Sequence, residues 1–253
     1  KSCSDLMRMI KAAEGMTCMV QLYGSREGEV ARQMERYMLL LKRHEDLFGT
    51  EKMPLLVSAP GRTELCGNHT DHHSGRVLAA AVDLDTVAAV SPRDDLQITL
   101  HSEGFAPIRV DLNNLSPVKE EQGTPASIIR GIAARMQEMG CMVRGFDGTA
   151  TSNVLSGSGL SSSAAFEVLI CAIFDALYNG MKVDPIERAK IAQYAENVYF
   201  GKPCGLMDQM ASSVGGVVSI DFADTARPVV EKLDVNLPAY GYALGLLASA
   251  AGH

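Results

Sequence analysis

The stretch SGSGLSSSAA, residues 156–165, decides how this chain is read. Gly157 and Gly159 let the backbone take positive φ and approach a ligand closely. Ser161, Ser162 and Ser163 crowd hydroxyls at the turn. From 161 to 178 the apolar residues Ala165, Val168, Leu169, Ala172, Ile173 and Leu177 recur at helical spacing. A Gly-rich turn running into a helix N-terminus is an anion site, because unpaired N–H groups and the positive dipole end point outward together. No Gly-Lys-Ser/Thr follows, so the run is not a Walker A loop. The plain alternative is a Gly/Ser loop whose serine caps the helix.

Outward from this loop, strands cluster and helices follow. Residues 146–154 form a Thr-rich strand that leads into it. Upstream, 55–59 is a short apolar run ending in Pro60-Gly61, which predicts a strand and then a turn. Residues 77–90 predict a long or bent buried strand, and 96–101 and 108–112 alternate like strands. Helices are predicted over 27–48, stopped by Gly49, over 125–139 with Pro125 in the first turn, and over 185–200 with Asp184 as N-cap. Residues 217–222, 229–233 and 242–247 read as further strands, and 1–25 carry mixed signals. Strands in a group followed by helices predict an α+β fold rather than regular βαβ alternation.

At 253 residues and 47% apolar composition, the chain can bury an ordinary core. Its net charge of −7 argues against nucleic-acid and membrane-surface partners. Nucleotide binding is not opposed by it, since phosphates meet local N–H groups and a metal. No pair among the six cysteines has Cys-x-x-Cys spacing, so neither a zinc ribbon nor a redox motif is suggested and a cytoplasmic location is expected. No run reaches the roughly 20 apolar residues of a membrane span.

Two further stretches carry chemistry. GRTELCGNHTDHHSGR, residues 61–76, sets Arg62, Glu64, Asn68, His69, Asp71, His72 and His73 between apolar strands. Such a set suits a hydroxyl-rich ligand. A metal held by His69, Asp71, His72 and His73 is conceivable, but the spacing is not HExxH on a helix. A solvated polar loop is the remaining alternative. In ENVYFGKPCGLMDQMASSVGG, residues 196–216, Asp208 lies among Leu206, Met207 and Met210. An acid held between burial and a nearby cation is a candidate general base, and an Asp capping a helix after the Cys-Gly turn is the bland reading.

Taken together, APGR, G-x-H-T-D, GLSSSA and CGLMDQ, in this order and at these separations, resemble the galactokinases. These belong to the superfamily named for galactokinase, homoserine kinase, mevalonate kinase and phosphomevalonate kinase. The likeness runs from about residue 55 to 216. It implies a fold like ribosomal protein S5 domain 2 and phosphorylation of galactose at C1 by ATP with Mg²⁺. It implies that Gly157, Ser158, Gly159, Leu160, Ser161, Ser162 and Ser163 form the phosphate loop. Ser163 and Glu196 would hold Mg²⁺. Asp208 would take or orient the proton of the C1 hydroxyl, with Arg62 beside it and the γ-phosphoryl group. Asn68, His69, Asp71 and Gly205 would hold sugar hydroxyls.

The chain departs from that pattern at Asn68, where the family has Glu, and at His72-His73, where it has Tyr-Asn. These changes bear on the sugar rather than on phosphoryl transfer. The third Gly-rich motif of the family is not found, and of its Asp-Thr-Gly-Gly-x-His-like segment only His253 matches. The expected organisation is therefore a helical extension at 1–50, a sugar- and ATP-binding kinase domain at 51–225, and at 226–253 the first strands of an incomplete, ferredoxin-like C-terminal domain. A kinase for another sugar, such as an N-acetylated one, and a non-catalytic sugar- and ATP-sensing regulator are the alternatives. Arg62 and Asp208 together favour an enzyme.

Overall fold

The computed structural model describes residues 1–246, apart from the side chains of His72 and Pro238. Its centre is β2 (Arg76–Pro92), a strand with two apolar runs, Val77–Val82 and Val87–Val90, on either side of Asp83 and Asp85. β2 pairs antiparallel with β1 (Leu55–Cys66) along one edge, and with β5 (Phe146–Ser152) and β6 (Val217–Asp221) along the other. β3 (Gln97–Ser102) pairs antiparallel with β4 (Ile108–Asp111) and parallel with β5. β7 (Val229–Leu233) extends the sheet beyond β6. The seven strands form one sheet, in the order β4-β3-β5-β2-β6-β7 with β1 beside β2.

Helices cover both faces. Val87 and Ala89 of β2 pack under α1 (Cys3–Lys11), α2 (Ala13–Tyr23) and α3 (Glu29–Phe48). Ala88 and Val90 point the other way, into the main core with α4 (Pro125–Glu138), α5 (Ser162–Phe174) and α6 (Pro185–Tyr194). Alternate residues thus serve opposite cores, which is why this stretch lacks the polar alternation of a half-exposed strand. α5 continues through a wider π-helical turn, Asp175–Asn179, and α6 through another, Ala195–Phe200. The stretch Ser162–Asn179 is long and apolar enough to cross a membrane by composition, yet it sits in the core.

The fold is the mixed α/β arrangement expected, with four local differences. Pro60-Gly61 is not a turn: β1 runs through it, with a register shift between Pro60 and Arg62. The missing N–H of Pro60 falls at that irregularity, where the ladder is already broken. α7 (Met207–Val214) is a helix that the periodicity of so short a segment did not announce. The mixed 1–25 segment forms two helices, the first opened by a reciprocal Ser2–Asp5 capping box. Residues 242–246, expected as strand, pair with nothing among the described residues: Tyr242, Leu244 and Leu246 are exposed there. Leu247 and the His253 match lie outside the described residues.

Candidate active site

β1 carries Arg62 into the interior, where it is only 6% exposed. Its Nε donates to Asp208 Oδ1 at 2.6 Å and its Nη2 to Oδ2 at 2.7 Å. The remaining guanidinium nitrogen donates to the Gly159 carbonyl at 2.7 Å. A fork on a carboxylate fixes distance and plane together. The backbone follows: the N–H of Arg62 donates to the Leu160 carbonyl at 3.0 Å. A Cβ at Gly61 would stand 2.9 Å from that oxygen, so glycine is what lets β1 and the loop meet.

The loop between β5 and α5 is built as the glycines require. Gly157 and Gly159 both have φ of 76°, and Ser161, just before α5, has φ of 55°. Ser158 turns its hydroxyl onto the Leu155 carbonyl, and Leu160 is buried with Val154 and Ala165. Ser161 does not cap α5 with its side chain. Its hydroxyl donates instead to Asp208 Oδ2. The first N–H groups of α5, at Ser162 and Ser163, therefore have no side-chain cap from Ser161.

Asp208 sits in the first turn of α7, and Leu206, not Asp208, occupies the N-cap position. Burial pushes its carboxyl upward, but the Arg62 fork, the Arg62 charge and the Ser161 hydroxyl outweigh this and hold it below the ordinary carboxylate value. It is ionised at neutral pH.

Beside it lies a cavity of about 230 Å³, lined by His69, Asp71, Ser163, Glu196, Gly205 and Asp208, with Lys202, Pro203, Cys204 and Gln209. His69 follows β1 and Asp71 sits in the short 3-10 turn Thr70–His73. Asp71 is buried and accepts the Met207 N–H at 3.3 Å. A Cβ at Gly205 would lie 1.8 Å from Asp71 Oδ2, so that carboxylate reaches the cavity only because residue 205 has no side chain. Asn68 is exposed, with φ of 57°, and does not line the cavity. A groove of about 300 Å³ between α4 and α6 is larger, but none of these residues lines it.

Two members, Glu167 and Gln209, escaped the sequence reading, and Glu64, named there in the polar set of residues 61–76, was given no role of its own. Glu167, on α5 one turn beyond Ser163, is 1% exposed. Burial and the neighbouring Glu196 push its carboxyl well above the carboxylate range. Gln209 donates through Nε2 to Glu167 and to Glu196, each at 3.0 Å, while its Oε1 is buried without a partner. Glu64 accepts the His69 N–H at 3.0 Å and pairs with its Nδ1. An acid inside the apolar run FEVLI was the signal for Glu167; the partners of Gln209 and Glu64 had none in local sequence.

Among the described residues no group of three or more His, Cys, Asp and Glu side chains is arranged for a metal. A cation that takes one or two carboxylates and completes its shell with phosphate and water needs no such group. The oxygens of Ser163 and Glu196 on one cavity wall, with the unpartnered Gln209 Oε1 beside Glu196, fit that class.

Residues 42–92 match the galactokinase galactose-binding signature, and residues 127–216 match the GHMP kinases N terminal domain. Galactokinase from Pyrococcus furiosus is 36% identical over 172 residues, 68% of this chain and 47% of that protein. Galactokinase from Streptomyces coelicolor is 35% identical over 214 residues, 84% and 54% of the two chains. The chain spans about half the length of the curated relatives it matches. The crystal structure of Lactococcus lactis galactokinase complexed with galactose superposes with a TM-score of 0.69 at 25% identity, covering 78% of this chain and 51% of that one. Methanococcus jannaschii mevalonate kinase, at 16% identity and a TM-score of 0.61, shares the fold.

Proposed function

Because this chain belongs to the galactokinase branch of the GHMP kinases, we propose that it carries the sugar- and phosphate-binding part of an enzyme that transfers the γ-phosphoryl group of ATP to the C1 hydroxyl of galactose. The observation that carries this reading is the Arg62–Asp208 fork, joined to the Gly-rich loop through Gly159 and Ser161 and opening on a polar cavity.

In this reading the C1 hydroxyl donates to Asp208, which is charged and so ready to accept. Its lowered pKa makes it a weak base. It therefore orients the hydroxyl in the ground state and takes the proton as the bond to phosphorus forms, when the oxygen becomes acidic. Arg62 stands between the carboxylate and the loop, where negative charge accumulates during transfer. His69 and Asp71 hold other sugar hydroxyls, and Gly205 makes room for Asp71. Gly157, Ser158, Gly159, Leu160, Ser161, Ser162 and Ser163 shape the phosphate cradle at the N-terminus of α5. Ser163 and Glu196 would hold Mg²⁺, which when bound neutralises phosphate charge. Asn68 belongs to the sugar mouth only if the exposed loop folds inward on binding. The cellular setting we propose is cytoplasmic, with a sugar and ATP as partners.

The test is the Asp208→Asn variant of the complete protein, assayed for galactose 1-phosphate with MgATP. We expect kcat to fall about 10²–10⁴-fold, with galactose and ATP affinities changed far less. A variant with near wild-type kcat removes Asp208 from the mechanism.

A further inference from the structure

Resting on the sugar-site reading above, we infer that Glu64 is a positioning residue: it fixes His69 in the Nδ1–H tautomer, so that the ring offers Nε2 as an acceptor and selects sugars with a donating hydroxyl at that point. Glu64 lies on β1 opposite Ala79 of β2, so its Cα is set by the sheet rather than by the loop. Its side chain is 14% exposed, and its two oxygens meet one residue twice, at the backbone N–H and at ring Nδ1 of His69. The loop needs such a hold. Asn68 and His69 are consecutive non-glycine residues with φ of 57° and 52°, a left-handed pair that L side chains disfavour.

The chemistry follows from the donor count. An ionised carboxylate only accepts, so the proton between Glu64 and a neutral His69 resides on Nδ1. Nε2 is then a lone pair, the ring's one remaining polar atom, on a residue that lines the cavity. The other side chains there that face a sugar, Asp71 and Asp208, also accept. Arg62, the buried donor, is committed to Asp208 and Gly159. His69, Asp71 and Asp208 thus present acceptors and ask for hydroxyls that donate; of the donors in the same lining, Lys202 lies 3.9 Å from Glu196 and Gln209 donates to Glu167 and Glu196. Sequence comparison alone points to residue 68, where a carboxylate of the family is replaced by Asn. The structure moves the charge to position 64, on the strand, where it acts through His69.

The test has two arms. Long-range ¹H–¹⁵N spectra of the ligand-free protein read the His69 tautomer directly, without any sugar. We expect the Nδ1–H form in the wild type, and a population of Nε2–H in Glu64→Gln, whose amide can also donate. Steady-state kinetics of the complete protein then compares galactose with its deoxyfluoro analogues, in which fluorine cannot donate. We expect Glu64→Gln to raise KM for galactose about 10-fold, leave kcat and KM for ATP within about twofold, and flatten the penalty for fluorine at one position. An Nε2–H ring in the wild type overturns the inference, as does an unchanged galactose KM in a folded Glu64→Gln. If the wild type phosphorylates no sugar, the functional reading fails, and the tautomer spectra still decide whether Glu64 fixes the ring.

Discussion

Asp208 shows how much a single contact decides. Burial alone would carry this acid upward in pKa, and Arg62 reverses the sign. Replacing Arg62 with Gln keeps donors but removes the charge, leaving burial less opposed. The acid limb of kcat/KM should then move to higher pH, besides the loss of rate. A pH profile of the residual activity checks this, and an acid limb that stays in place would separate Arg62 from the charge state of Asp208. Gly205 makes the same point sterically. Gly205→Ala puts a methyl where Asp71 Oδ2 now lies, so Asp71 must swing away. We expect galactose affinity to fall by about 10-fold or more with nucleotide affinity retained, read by titration calorimetry of each ligand. The sequence named both Asp208 and Gly205 through a family likeness. It could not show why they work, because Asp208 meets Arg62 across 146 positions.

Among the elements, α3 is tied to the sheet by a buried histidine. His44 is fully buried, with Nε2 2.8 Å from Ser91 Oγ of β2 and Nδ1 3.4 Å from Thr149 Oγ1 of β5. Burial pulls its pKa down to about 4. The unfolded chain takes up a proton near pH 6.5 and the folded one does not until about pH 4. Between those values acid favours unfolding, and the stability lost amounts to on the order of 2–3 kcal/mol. Urea midpoints at pH 7 and pH 4.5 should differ for the wild type and differ less for His44→Gln. Long periodic elements such as α3 and α4 were legible from sequence to within a few residues. The path of β1 through Pro60-Gly61 was not, because local turn chemistry reads the dipeptide without the loop it touches. α7 was missed because eight residues, with polar Gln209 and Ser212 among the buried ones, show no clear stripe.

At the scale of the molecule, Asp85 joins the two sides. This buried acid accepts from Tyr23 of α2 at 2.8 Å, from Arg36 of α3 at 2.6 Å and from Ser58 of β1. Arg36 also reaches the Asp85 and Thr151 carbonyls, so one ion pair spans the helical layer, β2 and β5. Asp85→Asn leaves the guanidinium buried without its counter-charge. We expect a loss of about 3–5 kcal/mol, seen as a lower denaturation midpoint, with the Arg62–Asp208 site intact in whatever protein remains folded. Hydropathy gave the two apolar faces of β2 as one long buried strand. It could not assign them to separate cores, since both faces look alike in one dimension.

The Ser161 hydroxyl rests on the same Asp208 oxygen that the Arg62 Nη2 uses. In the proposed function, a sugar hydroxyl arriving at that carboxylate competes with Ser161 for its lone pairs, and a phosphate arriving at the loop competes with Asp208 for the Ser161 proton. Each ligand therefore loosens the tie that the other must break. Linkage makes the effect equal in both directions: whatever factor ADP applies to galactose affinity, galactose must apply to ADP. Ser161→Ala cuts the tie beforehand, so the two ligands should bind that variant independently. Calorimetric titration of each, alone and against saturating partner, measures the difference as cooperativity.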